Sequence, residues 1–150
     1  MQYALKSKDA IKEAQAFSQR KFGGPNIEEG NDRNRVNAFQ HSYWNALLTL
    51  SMGAIRTKVW VDAHEWGLPN NPDNNFATQM DLFNNQIGRN IGDTWIGNPQ
   101  GLGVTLVTLV ENWIESGQMQ HVCFDLFLPN NPTGFRYTNQ RLAFTNQICR

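Results

Sequence analysis

Three short stretches hold most of the residues able to do chemistry in this 150-residue chain. In "RNRVNAFQHSYWNALL", Arg33, Asn37, His41 and Asn45 recur every fourth residue with Trp44 beside them, so on a helix they share one face. "WVDAHEWG" brings Asp62, His64 and Glu65 close together, and "MDLFNNQIGRNIG" carries Asp81, Asn84, Asn85, Gly88, Arg89 and Gly92. A helix that only needed to fold would use Ala, Glu or Lys at such positions, because Asn and Gly cost helix stability. A His41 base with Asp81 as its orienter is sound acid–base chemistry, since imidazole titrates near neutrality and a carboxylate fixes its tautomer. Arg89 and the Asn84 and Asn85 amides can hold an anionic group or stabilise developing negative charge. That combination suits ester or phosphodiester cleavage.

Taken singly, each residue has a plainer explanation. A histidine beside a tryptophan is more often partly buried and hydrogen-bonded than catalytic. Arg33 in a first helical turn is ordinarily a solvated charge, and Glu65 near a helix end is ordinarily exposed. Gly88 and Gly92 can serve only to let two helices approach, and Asp81 with Arg89 can be a structural ion pair. Collectively the groups ask for more, since a core holds few polar side chains unless they are hydrogen-bonded or used.

The elements that must position these groups read as helices. Residues 7–21 form a first amphipathic helix, capped by Ser7, with Ile11, Ala14 and Phe17 on its apolar stripe. "GGPNIEEGN" is a loop. A second helix runs from Asn31 or Asp32 to Met52, where Val36, Phe39, Tyr43, Leu47 and Leu50 form a stripe and Gly53 ends it. A third spans 54–66, and a fourth 76–92 follows the Pro-containing loop "GLPNNPDNN". The run from Leu102 to Gly117 reads as a buried helix despite its β-branched residues, because its length and its "ENWIESG" ending favour one. "HVCFDLFL" alternates and reads as a short strand or extended segment, whereas the tail after it is weakly patterned. The expected fold is mostly α: one compact domain over 1–150, of about five helices, with a short extended or β segment near 120–128. Short loops would set the second, third and fourth helices side by side, so their polar faces converge.

Bulk composition narrows the classes. Hydrophobic content of 40% and charged content of 17% describe a globular chain with a real core. A net charge of zero argues against non-specific nucleic-acid binding, which needs clustered Lys and Arg. The 18 Asn and 11 Gln are an excess best read as proteome bias. No apolar run reaches membrane-spanning length, and the N-terminus lacks an apolar signal core. Cys123 and Cys149 match no zinc spacing; they form one bridge if the chain is exported and stay thiols if it is cytosolic.

In order, "NAFQHSYWNALL", "DAHE" and "MDLFNNQIGR" resemble a bacterial domain family of unknown function with the pattern D-A-F-R-H-A-x-W-N, A-H-E and M-D-x-x-N-N-x-x-G-R. That family resembles the C-terminal toxin modules of polymorphic secreted bacterial proteins. The resemblance covers about Asn31 to Gly92, plus "ENWIESG". It implies key positions at His41, Trp44, Asn45, His64, Glu65, Asp81, Asn84, Asn85, Gly88 and Arg89. Of these, His41, His64, Glu65, Asp81 and Arg89 are the candidate catalytic residues; Trp44, Asn45, Asn84 and Asn85 are the candidate substrate-binding ones. It also implies a cognate immunity protein as partner, a substrate in the target cell, and secretion or delivery by a specialised system. Two positions depart from the pattern: Asn37 and Gln40 stand where it has Asp and Arg.

The expectation is therefore a secreted effector with hydrolytic activity on an ester or phosphodiester. No cofactor is expected. His41, Asp62, His64, Glu65 and Asp81 supply nitrogen and oxygen ligand types, which leaves a divalent metal open, but no H-E-x-x-H spacing is present. A different class, a binding or scaffold module whose polar patch is a buried hydrogen-bond network, accounts better for Asn37 and Gln40. An open cleft at the patch favours the enzyme, and a sealed network favours the scaffold.

Overall fold

The computed structural model describes residues 2–22, 35–66, 75–97, 105–124 and 140–145. The fold is mostly α. Five helices appear in chain order: α1 (Gln2–Phe22), α2 (Arg35–Met52), α3 (Ala54–Trp66), α4 (Asn75–Gly97) and α5 (Leu106–Glu115). They are followed by β1 (Gln120–Phe124) and β2 (Gln140–Phe144). Helix α2 is the hub, packing on α1, α3, α4, α5 and β1, and the expected mutual packing of α2, α3 and α4 is present. Its Phe39, Ala46 and Leu48 are fully buried, together with Met80 and Ile91 of α4 and Val110 and Ile114 of α5. On the α1 side, Phe17 stacks on Phe39 at 5.3 Å, and both rings meet Tyr43.

Several boundaries differ from the sequence reading, each for a local reason. Helix α1 begins at Gln2, so Ser7 lies inside it rather than capping it. Ala4, Leu5 and Lys6 are strong helix formers, and propensity outweighs the cap signal. Residues 31–34, where the start of α2 was expected, lie outside the described residues, as do 101–104 before α5. Gly53, at φ +82, ends α2 as expected, and its N–H bonds Thr49 O at 2.9 Å. Helix α4 continues five residues beyond Gly92 because Ile91 and Trp95 carry the apolar stripe onward into the core.

Helix α5 is capped by Thr105, whose hydroxyl accepts from Thr108 N at 3.2 Å. At its other end Gly117 N and Gln118 N bond Ile114 O and Trp113 O, a Schellman stop with Gly117 at φ +76. Strand β1 falls where an extended segment was expected; residues 125–128 lie outside the described residues. Its partner β2 was not anticipated. The two pair antiparallel with Gln120 opposite Phe144 and Val122 opposite Leu142.

Candidate functional site

Helices α2 and α4 cross unusually closely, and the glycines of the third motif are the reason. A Cβ at position 88 would sit 2.2 Å from Ser42 O, and one at position 92 would sit 2.7 Å from Thr49 Cβ. Two glycines one turn apart thus bring the α4 backbone against Ser42, Asn45, Ala46 and Thr49. This proximity lets short side chains on facing helices bond directly. Asn45, Asn84 and Asn85 are fully buried, and Arg89 is 4% exposed.

The hydrogen bonds form a directed chain. Arg89 Nη1 donates to Asn45 Oδ1 at 3.3 Å and to Asp62 Oδ1 at 3.3 Å, while Nη2 donates to Gln86 Oε1 at 3.0 Å. Burial pulls the Arg89 pKa below its ordinary value, and the Asp62 carboxylate offsets part of that pull. A guanidinium has donors and no acceptor. Asn45 must therefore turn its oxygen to Arg89, which aims its Nδ2 at Asn85 Oδ1, 2.7 Å away, and at His41 O, 2.8 Å away. Asn85 then presents an oxygen to His41 Nδ1 at 2.9 Å, so Nδ1 carries a proton and donates it. The tautomer of His41 is set from Arg89, through two carboxamides.

The other ring nitrogen, Nε2, faces Asp81 Oδ1 at 3.3 Å. Both halves of the expected His41–Asp81 pair are thus in contact, with one change of role. The ring is oriented by Asn85, and Asp81 instead faces Nε2, the nitrogen left to take up a proton. The two side chains are 15% and 11% exposed, and the Asp81 oxygen that faces the ring is itself buried. The rings of His41 and Trp44 meet edge-on at 6.3 Å. Both line a cleft of about 120 Å³ between α1 and α2, with Ile11, Ala14, Gln15 and Gln40.

The remaining expected residues are placed as follows. Asn84 is drawn to the hairpin: its Nδ2 donates to Gln120 O at 2.8 Å, and its Oδ1 accepts from Gln120 N at 2.9 Å. His64 and Glu65 lie in the last turn of α3, and their side chains are outside the described residues, as is Arg33. Of the two departures, Asn37 is buried and Gln40 lines the cleft. Asp62, which also pairs with Lys58, joins α3 to Arg89. The α1 contribution to the cleft was not foreseen, because Ile11 and Ala14 have the spacing of ordinary core positions. Cys149 and the Cys123 side chain are outside the described residues, so their pairing stays undescribed. Among the described residues no three His, Cys, Asp or Glu side chains group to hold a metal ion, and no helix is long and apolar enough to cross a membrane.

These features define a helical domain built around a polar α2–α4 crossing that ends in a histidine–carboxylate pair. A family model described as a domain of unknown function (DUF6973) matches residues 1–117, and the chain belongs to that family. The match takes in all five helices and ends at the Gly117 stop, before the hairpin. No curated protein and no solved structure matches the chain.

Proposed function

We propose that this domain is a hydrolase of an ester or phosphodiester, acting as a secreted effector or toxin. The observation that carries the catalytic part is the contact of Asp81 with His41, whose ring lines a cleft and is fixed by Asn85. A fixed imidazole beside a carboxylate relays one proton without reorganising. Water attacks the electrophilic centre and its proton passes to the pair. The pair then returns a proton to the leaving oxygen, so an ester plus water gives an acid and an alcohol. Trp44 forms a wall of the binding site, and Asn45, Asn85 and Arg89 act as positioning residues. The effector part rests on the three motif blocks and their likeness to toxin modules, with delivery by a specialised system and a cognate immunity protein as partner.

The test is expression in bacterial cytoplasm and periplasm, scoring growth for the unaltered chain, His41→Ala and Asp81→Asn, with melting temperature measured alongside. The hydrolase reading expects growth inhibition that both substitutions relieve while the fold survives. A second reading, a scaffold module, is favoured by the complete burial of Asn45, Asn84 and Asn85. It expects the same substitutions to act only through stability, with no activity to lose.

A further inference from the structure

We propose that Asp62 is a positioning residue for His41, acting from a third helix through Arg89, Asn45 and Asn85. This rests on the hydrolase reading and brings α3 into the same site. Thr57 and Val61 are fully buried and seat α3 against α2 and α4. Position 62 falls at the border of that face, where one carboxylate can look both ways. Its Oδ1 accepts from Arg89 Nη1 at 3.3 Å, while its Oδ2 accepts from Lys58, one turn back and 60% exposed at its side chain.

Hydrogen counting shows what Asp62 adds. Each Nη of a guanidinium carries two hydrogens, held in the plane of the group. Those on Nη1 are shared between Asp62 Oδ1 and Asn45 Oδ1, each at 3.3 Å. With one of them fixed on α3 and Nη2 fixed on Gln86, the plane is set and the other points at Asn45. Gln86 is a weak anchor for this, being neutral, exposed and on the same helix as Arg89. Asp62 is charged, mostly buried and on a different helix. An ionised carboxylate only accepts, so no rotation of Asp62 turns a hydrogen toward Arg89. Its charge also compensates a cation that is costly to hold at the buried crossing. Without it the guanidinium would turn or withdraw, and Asn45 would keep its orientation only through its bond to His41 O. The Asn85 oxygen on His41 Nδ1 would then lose its support.

The experiment compares the full chain with Asp62→Leu, which removes the acceptor, and Asp62→Asn, which keeps an oxygen of the same reach. Long-range nitrogen–proton NMR reads the His41 tautomer, with melting temperature measured alongside. The Nδ1-protonated form should stand alone in the unaltered protein and in Asp62→Asn, and the Nε2-protonated form should appear in Asp62→Leu. A lower melting temperature in Asp62→Leu with the tautomer unchanged overturns the proposal, because Asp62 then only stabilises the fold. The unaltered protein supplies a check that needs no variant: the Arg89 Nη hydrogens should give separate, slowly exchanging signals. A freely rotating Arg89 guanidinium overturns the proposal even if Asp62→Leu fails to fold. The tautomer shift in a protein that hydrolyses nothing supports the role of Asp62 and discards the hydrolase. Hydrolysis that survives in Asp62→Leu with the tautomer unchanged does the reverse.

Discussion

Arg89 has only donors, and that asymmetry runs through Asn45 and Asn85 to the ring of His41. Asn45→Asp tests the chain at its middle link. A carboxylate still accepts from Arg89 but no longer donates to Asn85, so the Asn85 amide turns and offers its nitrogen to His41 Nδ1. Long-range nitrogen–proton NMR should show His41 protonated at Nδ1 in the unaltered protein and at Nε2 in the variant. An unchanged tautomer would show that something other than the carboxamides holds the ring. Arg89→Lys keeps the charge but loses the planar fork that serves Asn45, Asp62 and Gln86 together. Leaving the buried Asn45 oxygen unsatisfied costs roughly 1–3 kcal/mol, so the melting temperature of this variant should fall even though its charge is retained. His41 and Asp81 were legible as a pair because both sit in dense polar motifs. The substitution of Asn85 for Asp81 as orienter was not, since a helical register gives proximity but not which ring nitrogen meets which oxygen.

Gly88 and Gly92 show how an element boundary and a packing surface look alike in sequence. Gly92 reads as a helix stop, yet it lies mid-helix where α4 touches Thr49. On propensity alone Gly88→Ala would stabilise α4 by about 1 kcal/mol. Its new methyl would meet the Ser42 carbonyl, a backbone atom that cannot swing aside, so overpacking costing about 1–3 kcal/mol should prevail. Denaturant unfolding checks the sign, and a stabilised Gly88→Ala would refute the close crossing. The helices were legible because their apolar residues recur at helical spacing, although in α2 the expected Leu50 is exposed and Leu48 is buried instead, whereas β2 was hidden because "QRLAF" alternates too briefly to stand out from a loop. The α1–α2 contact adds a pH-dependent element. Tyr43 donates to Glu13 at 2.7 Å, and burial, then the Glu13 hydrogen bond and charge, push its pKa up. A phenol raised on folding gives stability that is full below its unfolded pKa of about 10 and lost as pH climbs above it. Thermal melts across that range should show this alkaline loss in the unaltered protein and a smaller one in Tyr43→Phe.

Helix α4 binds the molecule together by facing two ways from adjacent residues. Asn85 looks toward α2 and the His41 pair, while Asn84 looks toward β1, where its carboxamide imitates a neighbouring strand by bonding both backbone groups of Gln120. Ser42 also reaches across, donating to Asn84 O at 3.0 Å, so the hairpin and the site lean on the same turn of α4. The family match ends before the hairpin, which makes the question of their independence concrete. Asn84→Ala removes both bonds to Gln120 and leaves the Arg89–Asn45–Asn85–His41 chain intact. Two lost part-buried hydrogen bonds should cost about 1–3 kcal/mol and open β1–β2 more often. Hydrogen exchange should therefore speed up at the Gln120 amide, with the His41 tautomer unchanged. If Gln120 stays protected, Asn84 is not the anchor of the hairpin. If the tautomer changes as well, the hairpin and the His41 pair form one cooperative unit, and the chemistry of His41 depends on strands outside the family's own boundary.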